Sequence, residues 1–188
     1  MFAAPAFSRP GWGAASALAA VALLAACQAA APSRAPGSAP TGTTEEATVT
    51  YIVDGDTIHV EIGGEEFRVR YIGIDAPEIA HDNNPGERLG QEATQANERM
   101  VGGKRVILET DTSDTDQFGR LLRYVWLAPG TDYPAGSPST GWVLVNEELV
   151  CLGYADATTY PPDTRHQAVL NAAEQTARAA GVGIWSAP

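Results

Sequence analysis

Hydrophobic and polar residues alternate with period two across residues 48–53, and that run meets Asp54-Gly55, a strong turn signal. Residues 57–62 alternate again and put Ile58, Val60 and Ile62 on one face. Gly63-Gly64 reverses the chain, and residues 65–74 continue as a longer third strand. Strands joined by turns this tight form an antiparallel meander. Residues 86–101 lose the alternation, are rich in Glu, Gln and Ala, and stop at Gly102-Gly103, as a helix does. Val106-Ile107-Leu108 and residues 120–127 read as a fourth and a fifth strand, and residues 128–141, with three Pro and three Gly, as a surface loop. Residues 143–152 and 165–180 read as helices, the second ended by Gly181. This order predicts a mainly β fold with helices (α+β): a five-stranded Greek-key barrel of the OB type with three packed helices.

The N-terminal region has a different pattern. Its apolar run, residues 17–26, would cover only about 15 Å as a helix, half of a bilayer core, so it reads as the core of a signal peptide. The run ends in Leu24-Ala25-Ala26-Cys27, which resembles a bacterial lipoprotein signal. That resemblance implies a signal at residues 1–26 and lipid on the Cys27 thiol. Residues 27–47 would then be the lipidated cysteine and a disordered Ala/Pro/Ser/Thr tether, leaving residues 48–188 as the folded domain. The expectation is a protein exported across the cytoplasmic membrane and anchored to the cell envelope. The alternative is a plain secretory signal with an incidental cysteine.

Charge narrows the function. Twelve basic against twenty-three acidic residues give −11, and Lys104 is the single lysine. A broad basic face for sequence-independent DNA binding is excluded as the main theme. Two cysteines make no disulfide framework. His59, His81 and His166 lack zinc-site spacing, and Cys151 reads as a packed helix residue.

The candidate chemistry lies in the acids and two arginines. Asp54-Gly55-Asp56-Thr57 puts two carboxylates at a hairpin corner, and Asp75-Ala76-Pro77-Glu78 puts two more past the third strand. If the first and third strands are neighbours, these corners meet, and the clustered carboxylates then call for a cation. Oxygen-only donors select a hard ion, Ca²⁺ or Mg²⁺. Arg70 precedes Asp75 by five residues, and Arg120 follows the turn Asp116-Gln117-Phe118-Gly119. A guanidinium fork matches a phosphate. Carboxylates for a cation, arginines for an anion and a spare glutamate point to phosphoester hydrolysis.

The runs VDGDT, FRVRYIGIDAPE, TDQFGRLLRYVW, VNEELVCLGYA and GIWS, in this order across residues 48–186, resemble the staphylococcal nuclease family. The resemblance implies an OB barrel with three helices that cleaves DNA and RNA with Ca²⁺ and leaves 3′-phosphate ends. By position it implies Asp56, Asp75 and the Ala76 carbonyl as Ca²⁺ ligands, with Asp54 behind them. It further implies Glu78 for the attacking water, Arg70 and Arg120 for the phosphate, and Asp116 and Tyr160 for the nucleotide. A nucleic acid substrate, a lipid-mediated membrane contact and a monomer complete the expectation. The chain departs from the family's best-known member in its acidity and in the segment His81-Asp82-Asn83-Asn84, where lysines often stand. It departs again at Phe118, which replaces a hydroxyl-bearing aromatic, and at Thr158, which stands in place of a second tyrosine. The rival reading is a non-catalytic OB module that binds an oligonucleotide, an oligosaccharide or a protein.

Overall fold

The computed structural model describes residues 39–80, 85–133 and 139–187. Three strands form the meander: β1 (Thr44–Ile52), β2 (Thr57–Ile62) and β3 (Glu65–Tyr71). A two-residue β4 (Ile74–Asp75) follows, then α1 (Gly90–Val101), β5 (Arg105–Glu109) and β6 (Leu121–Leu127). The chain continues through β7 (Val143–Leu144), α2 (Val145–Cys151), β8 (Asp156–Ala157) and α3 (Gln167–Ala180), and ends in a 3-10 turn at Gly183–Trp185. The main sheet runs β3-β2-β1-β5-β6-β7, and a parallel pairing of β3 with β6 closes five of these strands into a barrel. The expected five-stranded barrel with three helices is thus present.

The alternation explains the closure. Val49, Ile58, Val60, Val69, Val106, Leu108, Val125 and Leu127 are all buried, so the inward positions of five strands fill one core. Helix α1 adds Ala93, Ala96, Met100 and Val101, α2 adds Leu149 and Val150, and α3 adds Leu170 and Ala173. Burial of each large side chain contributes about 1.5–3 kcal/mol. Gly181, in the left-handed region at φ 61°, ends α3 as expected.

Four boundaries differ from the expectation. Strand β1 starts at Thr44, inside the span assigned to the tether, because residues 44–48 pair with Arg105–Glu109 of β5 and Ala47 is buried. The third strand breaks after Tyr71, and Ile74 and Asp75 pair instead with Ala157 and Asp156 of β8. Helix α1 begins at Gly90, not at residue 86, and α2 is preceded by the short pairing of β7 with β6. The residues assigned to the signal peptide, Cys27 and the segment 81–84 lie outside the described residues. Among the described residues no helix is long and apolar enough to cross a membrane.

Candidate active site

The barrel register assembles the site. Arg70 sits opposite Thr57 in the β2–β3 pairing and opposite Leu122 in the β3–β6 pairing, so it lies between the Asp54–Asp56 turn and the strand that follows Arg120. The turn itself is held by its own acids. The Asp56 backbone N–H donates to Asp54 Oδ1 at 2.9 Å, and Thr57 Oγ1 donates to Asp56 Oδ1 at 3.1 Å. Asn97, buried on α1, donates to the Asp54 carbonyl at 3.1 Å and accepts from the Tyr71 hydroxyl at 2.9 Å. Gly55 is required because a Cβ there would lie 2.6 Å from Ala76 Cβ and 2.9 Å from Ala93 Cβ. The turn, the Ala76 segment and α1 therefore meet at closest packing.

Asp56 is buried, and its Oδ2 accepts the Ala76 N–H at 2.7 Å. The Arg70 guanidinium forks between two carboxylates: Nη1 meets Asp56 Oδ2, and Nη2 donates to Asp75 Oδ1 at 2.7 Å. With its side chain only 14% exposed, Arg70 joins the two expected metal ligands, nineteen residues apart in sequence. Asp75 is fixed from the other side by the β4–β8 pairing. Burial raises the Asp54 carboxyl above its ordinary value, and the positive charge of Arg70, the Thr57 hydrogen bonds and, more weakly, Arg120 oppose that rise. Burial also raises Glu78, assisted by the negative charges of Asp54, Asp75 and Glu87 against the pull of Arg70. Asp54, Asp56, Arg70, Asp75 and Glu78 thus share one electrostatic neighbourhood.

The expected convergence of four acids on a cation takes a different form here. Among the described residues no group of three or more His, Cys, Asp or Glu is arranged to hold a metal ion. Arg70 pairs instead with both Asp56 and Asp75. The donor set still suits a hard divalent cation: two carboxylates pinned in place and a backbone carbonyl beside them, with no sulfur or imidazole.

Arg120 is set by the Asp116 carboxylate, which accepts its Nε at 2.6 Å and its backbone N–H at 3.0 Å. Burial pushes the Asp116 carboxyl up, but these bonds and the Phe118 N–H outweigh it and hold the group below its ordinary value. Asp116, expected to face a nucleotide, is thus engaged with Arg120. The guanidinium carbon of Arg120 lies 5.5 Å from the centre of the Phe118 ring, itself 73% exposed. Arg70, Arg120, Asp116, Phe118 and Tyr160 line one cleft of about 400 Å³. Tyr160, 48% exposed, forms its rim. Every expected site residue within the described residues is therefore brought to this cleft or to the carboxylate cluster at the Arg70 end. Sequence reasoning missed Asn97 and Glu87, whose contacts with the site span 43 and nine residues of sequence and carry no local motif.

This arrangement offers anion binding at two fixed guanidinium groups, cation binding at Asp56 and Asp75, and a carboxylate at Glu78 suited to take a proton. The family model described as staphylococcal nuclease homologue matches residues 68–187. The thermonuclease of Staphylococcus intermedius is 33% identical over 141 residues, covering 75% of this chain and 76% of that protein. The thermonuclease of Staphylococcus hyicus is 34% identical over 138 residues, covering 73% and 74%. Endonuclease YncB of Bacillus subtilis (strain 168) is 31% identical over 140 residues, covering 74% of this chain and 61% of that protein.

Proposed function

The chain belongs to the staphylococcal nuclease family and is a nucleic-acid phosphodiesterase, and on that premise we propose that it is a Ca²⁺-dependent endonuclease acting outside the cytoplasm. The observation that carries this reading is the Arg70 fork between Asp56 and Asp75, with Arg120 on the same cleft. A binding module needs neither that fork nor a second guanidinium clamped in place by Asp116.

In this reading Asp56, Asp75 and the Ala76 carbonyl hold Ca²⁺, which when bound supplies a Lewis acid for the phosphoryl oxygen. Arg70 and Arg120 grip the phosphate from two sides of the cleft and balance the charge that grows during displacement. The Asp116 clamp spends one donor of Arg120 on orientation, so its remaining N–H groups face the phosphate with less freedom to lose. Glu78 takes the proton of the attacking water. Its raised proton affinity brings it closer to the pKa that suits a general base at neutral pH. Attack that expels the 5′-oxygen leaves a 3′-phosphate end. Tyr160 and Phe118 offer apolar faces to a base at the cleft rim.

Export and lipid attachment at Cys27 complete the reading: the domain works as a monomer held at the envelope, and the lipid confines it without adding contacts to the substrate. Incubation of the purified chain with plasmid DNA and RNA, with Ca²⁺ or with chelator, tests the reaction. Cleavage only with Ca²⁺, giving ends that phosphatase treatment makes extendable, is the expected result. Full cleavage in chelator, or 5′-phosphate ends, contradicts it. Cys27→Ser should release the active protein into the medium, and its retention at the envelope would remove the anchor.

A further inference from the structure

We propose that Glu87 is a positioning residue for Glu78, acting through the backbone of the glutamate and not on the substrate. The inference rests on the reading of Glu78 as the group that handles the water. The two residues are nine apart in sequence, and they exchange two hydrogen bonds. Glu87 N–H donates to the Glu78 carbonyl at 2.9 Å, and Glu87 Oε2 accepts the Glu78 N–H at 3.1 Å. Both backbone polar groups of Glu78 are thereby tied to one residue. Fixing the peptide planes before and after a residue fixes the direction in which its Cα–Cβ bond leaves the chain, and so where its carboxylate can reach.

The surroundings of Glu87 are built to hold it still. The Gly90 N–H donates to the Glu87 carbonyl at 3.1 Å, closing a turn immediately before α1. Leu89 stands in the left-handed region at φ 71°, a conformation that costs energy for a branched side chain and persists only where the surroundings impose it. Arg88 ties the same turn to the C-terminal segment through Nη2, which donates to the Ile184 carbonyl at 2.6 Å. Gly90 lets α1 approach: a Cβ at that position would lie 2.2 Å from the Glu78 carbonyl oxygen. The Glu78 backbone is held between the Glu87 clamp and the first residue of a rigid helix.

The negative charge of Glu87 adds to the rise in the proton affinity of Glu78, behind burial and the charges of Asp54 and Asp75. What the clamp needs from Glu87 is a hydrogen-bond acceptor on a side chain of that length. Glutamine provides the same acceptor without the charge, and this separates positioning from electrostatics.

The test compares the full chain with Glu87→Gln, Glu87→Ala and Gly90→Ala on plasmid DNA at saturating Ca²⁺, with amide hydrogen exchange followed at Glu78. Glu87→Ala should lower kcat about tenfold, leave KM within about twofold and speed exchange of the Glu78 amide, since small misplacements of a reacting group are expensive. Glu87→Gln should keep kcat within about threefold of wild type and retain the protection. Gly90→Ala should repeat the kcat loss, by displacing the Glu78 carbonyl. Wild-type kcat and exchange in Glu87→Ala overturn the proposal, and so does a Glu87→Gln protein as impaired as Glu87→Ala. If wild type itself cleaves nothing, the nuclease reading of the site fails, and the exchange data alone then decide whether the clamp exists.

Discussion

Within the site, the charged side chains are each held by a fixed partner. Arg120 has Asp116, Asp56 has Thr57 and the Ala76 amide, and Asp75 has Arg70. The charged groups are therefore coupled, and single substitutions should separate their tasks. Glu78→Gln keeps the shape but removes the base, so kcat should fall by about 10²-fold or more. Because burial and neighbouring acids already disfavour its charge, the melting temperature of this variant should stay at or above the wild-type value. Calorimetry and initial rates on one preparation check both. Asp75→Ala removes a pinned oxygen donor and should abolish the Ca²⁺-dependent rise in melting temperature. In wild type that rise should correspond to about 2.7 kcal/mol at a hundredfold excess of free Ca²⁺ over Kd. An unchanged shift in Asp75→Ala would remove it from the ligand set.

At the scale of elements, two buried polar residues join pieces of the fold that the barrel alone leaves separate. Asn97 links α1 to β3 through the Tyr71 hydroxyl and to the Asp54 turn through its carbonyl. Asn97→Ala leaves the buried Tyr71 hydroxyl and the part-buried Asp54 carbonyl without this partner and should cost about 1–3 kcal/mol in urea unfolding, with a parallel loss of kcat as the turn loosens. Glu109, fully buried on β5, accepts from the Gly42 N–H at 2.6 Å and from Trp126 Nε1 at 2.8 Å, and pairs with His166 Nε2 at 2.8 Å. It therefore pins the lead into β1, β6 and the start of α3. Burial pushes its carboxyl up, but His166 and the Gly42 and Thr41 amides outweigh that and hold it below the ordinary 4.5. A carboxyl depressed on folding stabilises the fold fully above its unfolded pKa, and that contribution fades as the pH falls through the folded value. Wild type should lose stability below about pH 4.5. Glu109→Gln should be less stable at neutral pH and show a flatter acid limb in pH-dependent melting.

Across the whole molecule, a charge of −11 opposes approach to a polyanion, while Arg70 and Arg120 attract it locally. Salt screens the long-range repulsion over about 10 Å at 0.1 M and also weakens the two arginine contacts. The opposing trends should give a shallow or bell-shaped dependence of kcat/KM on added monovalent salt at saturating Ca²⁺. A steep monotonic fall would mean that a basic groove dominates despite the net charge.

By itself the sequence determined the barrel and the three helices, and it named the acids and arginines of the candidate site. Period-two alternation, Gly-Gly reversals and helix-ending glycines are local signals, and the acids and arginines stand in short ordered motifs that survive without coordinates. The limits of those signals are visible at particular residues. Thr44–Ala47 looked too polar and small to order, yet β5 supplies the pairing that makes them a strand. Ile74 and Asp75 continued the pattern of the third strand, but pairing with β8 drew them into a separate ribbon. Asp116 meets Arg120 within one local turn. Tertiary structure alone decided that Arg70 forks across Asp56 and Asp75 and that Glu87 grips Glu78. Each of these depends on the distance between side chains set by barrel closure and a loop return. A motif specifies which groups are present, but only the closed chain specifies which of them touch.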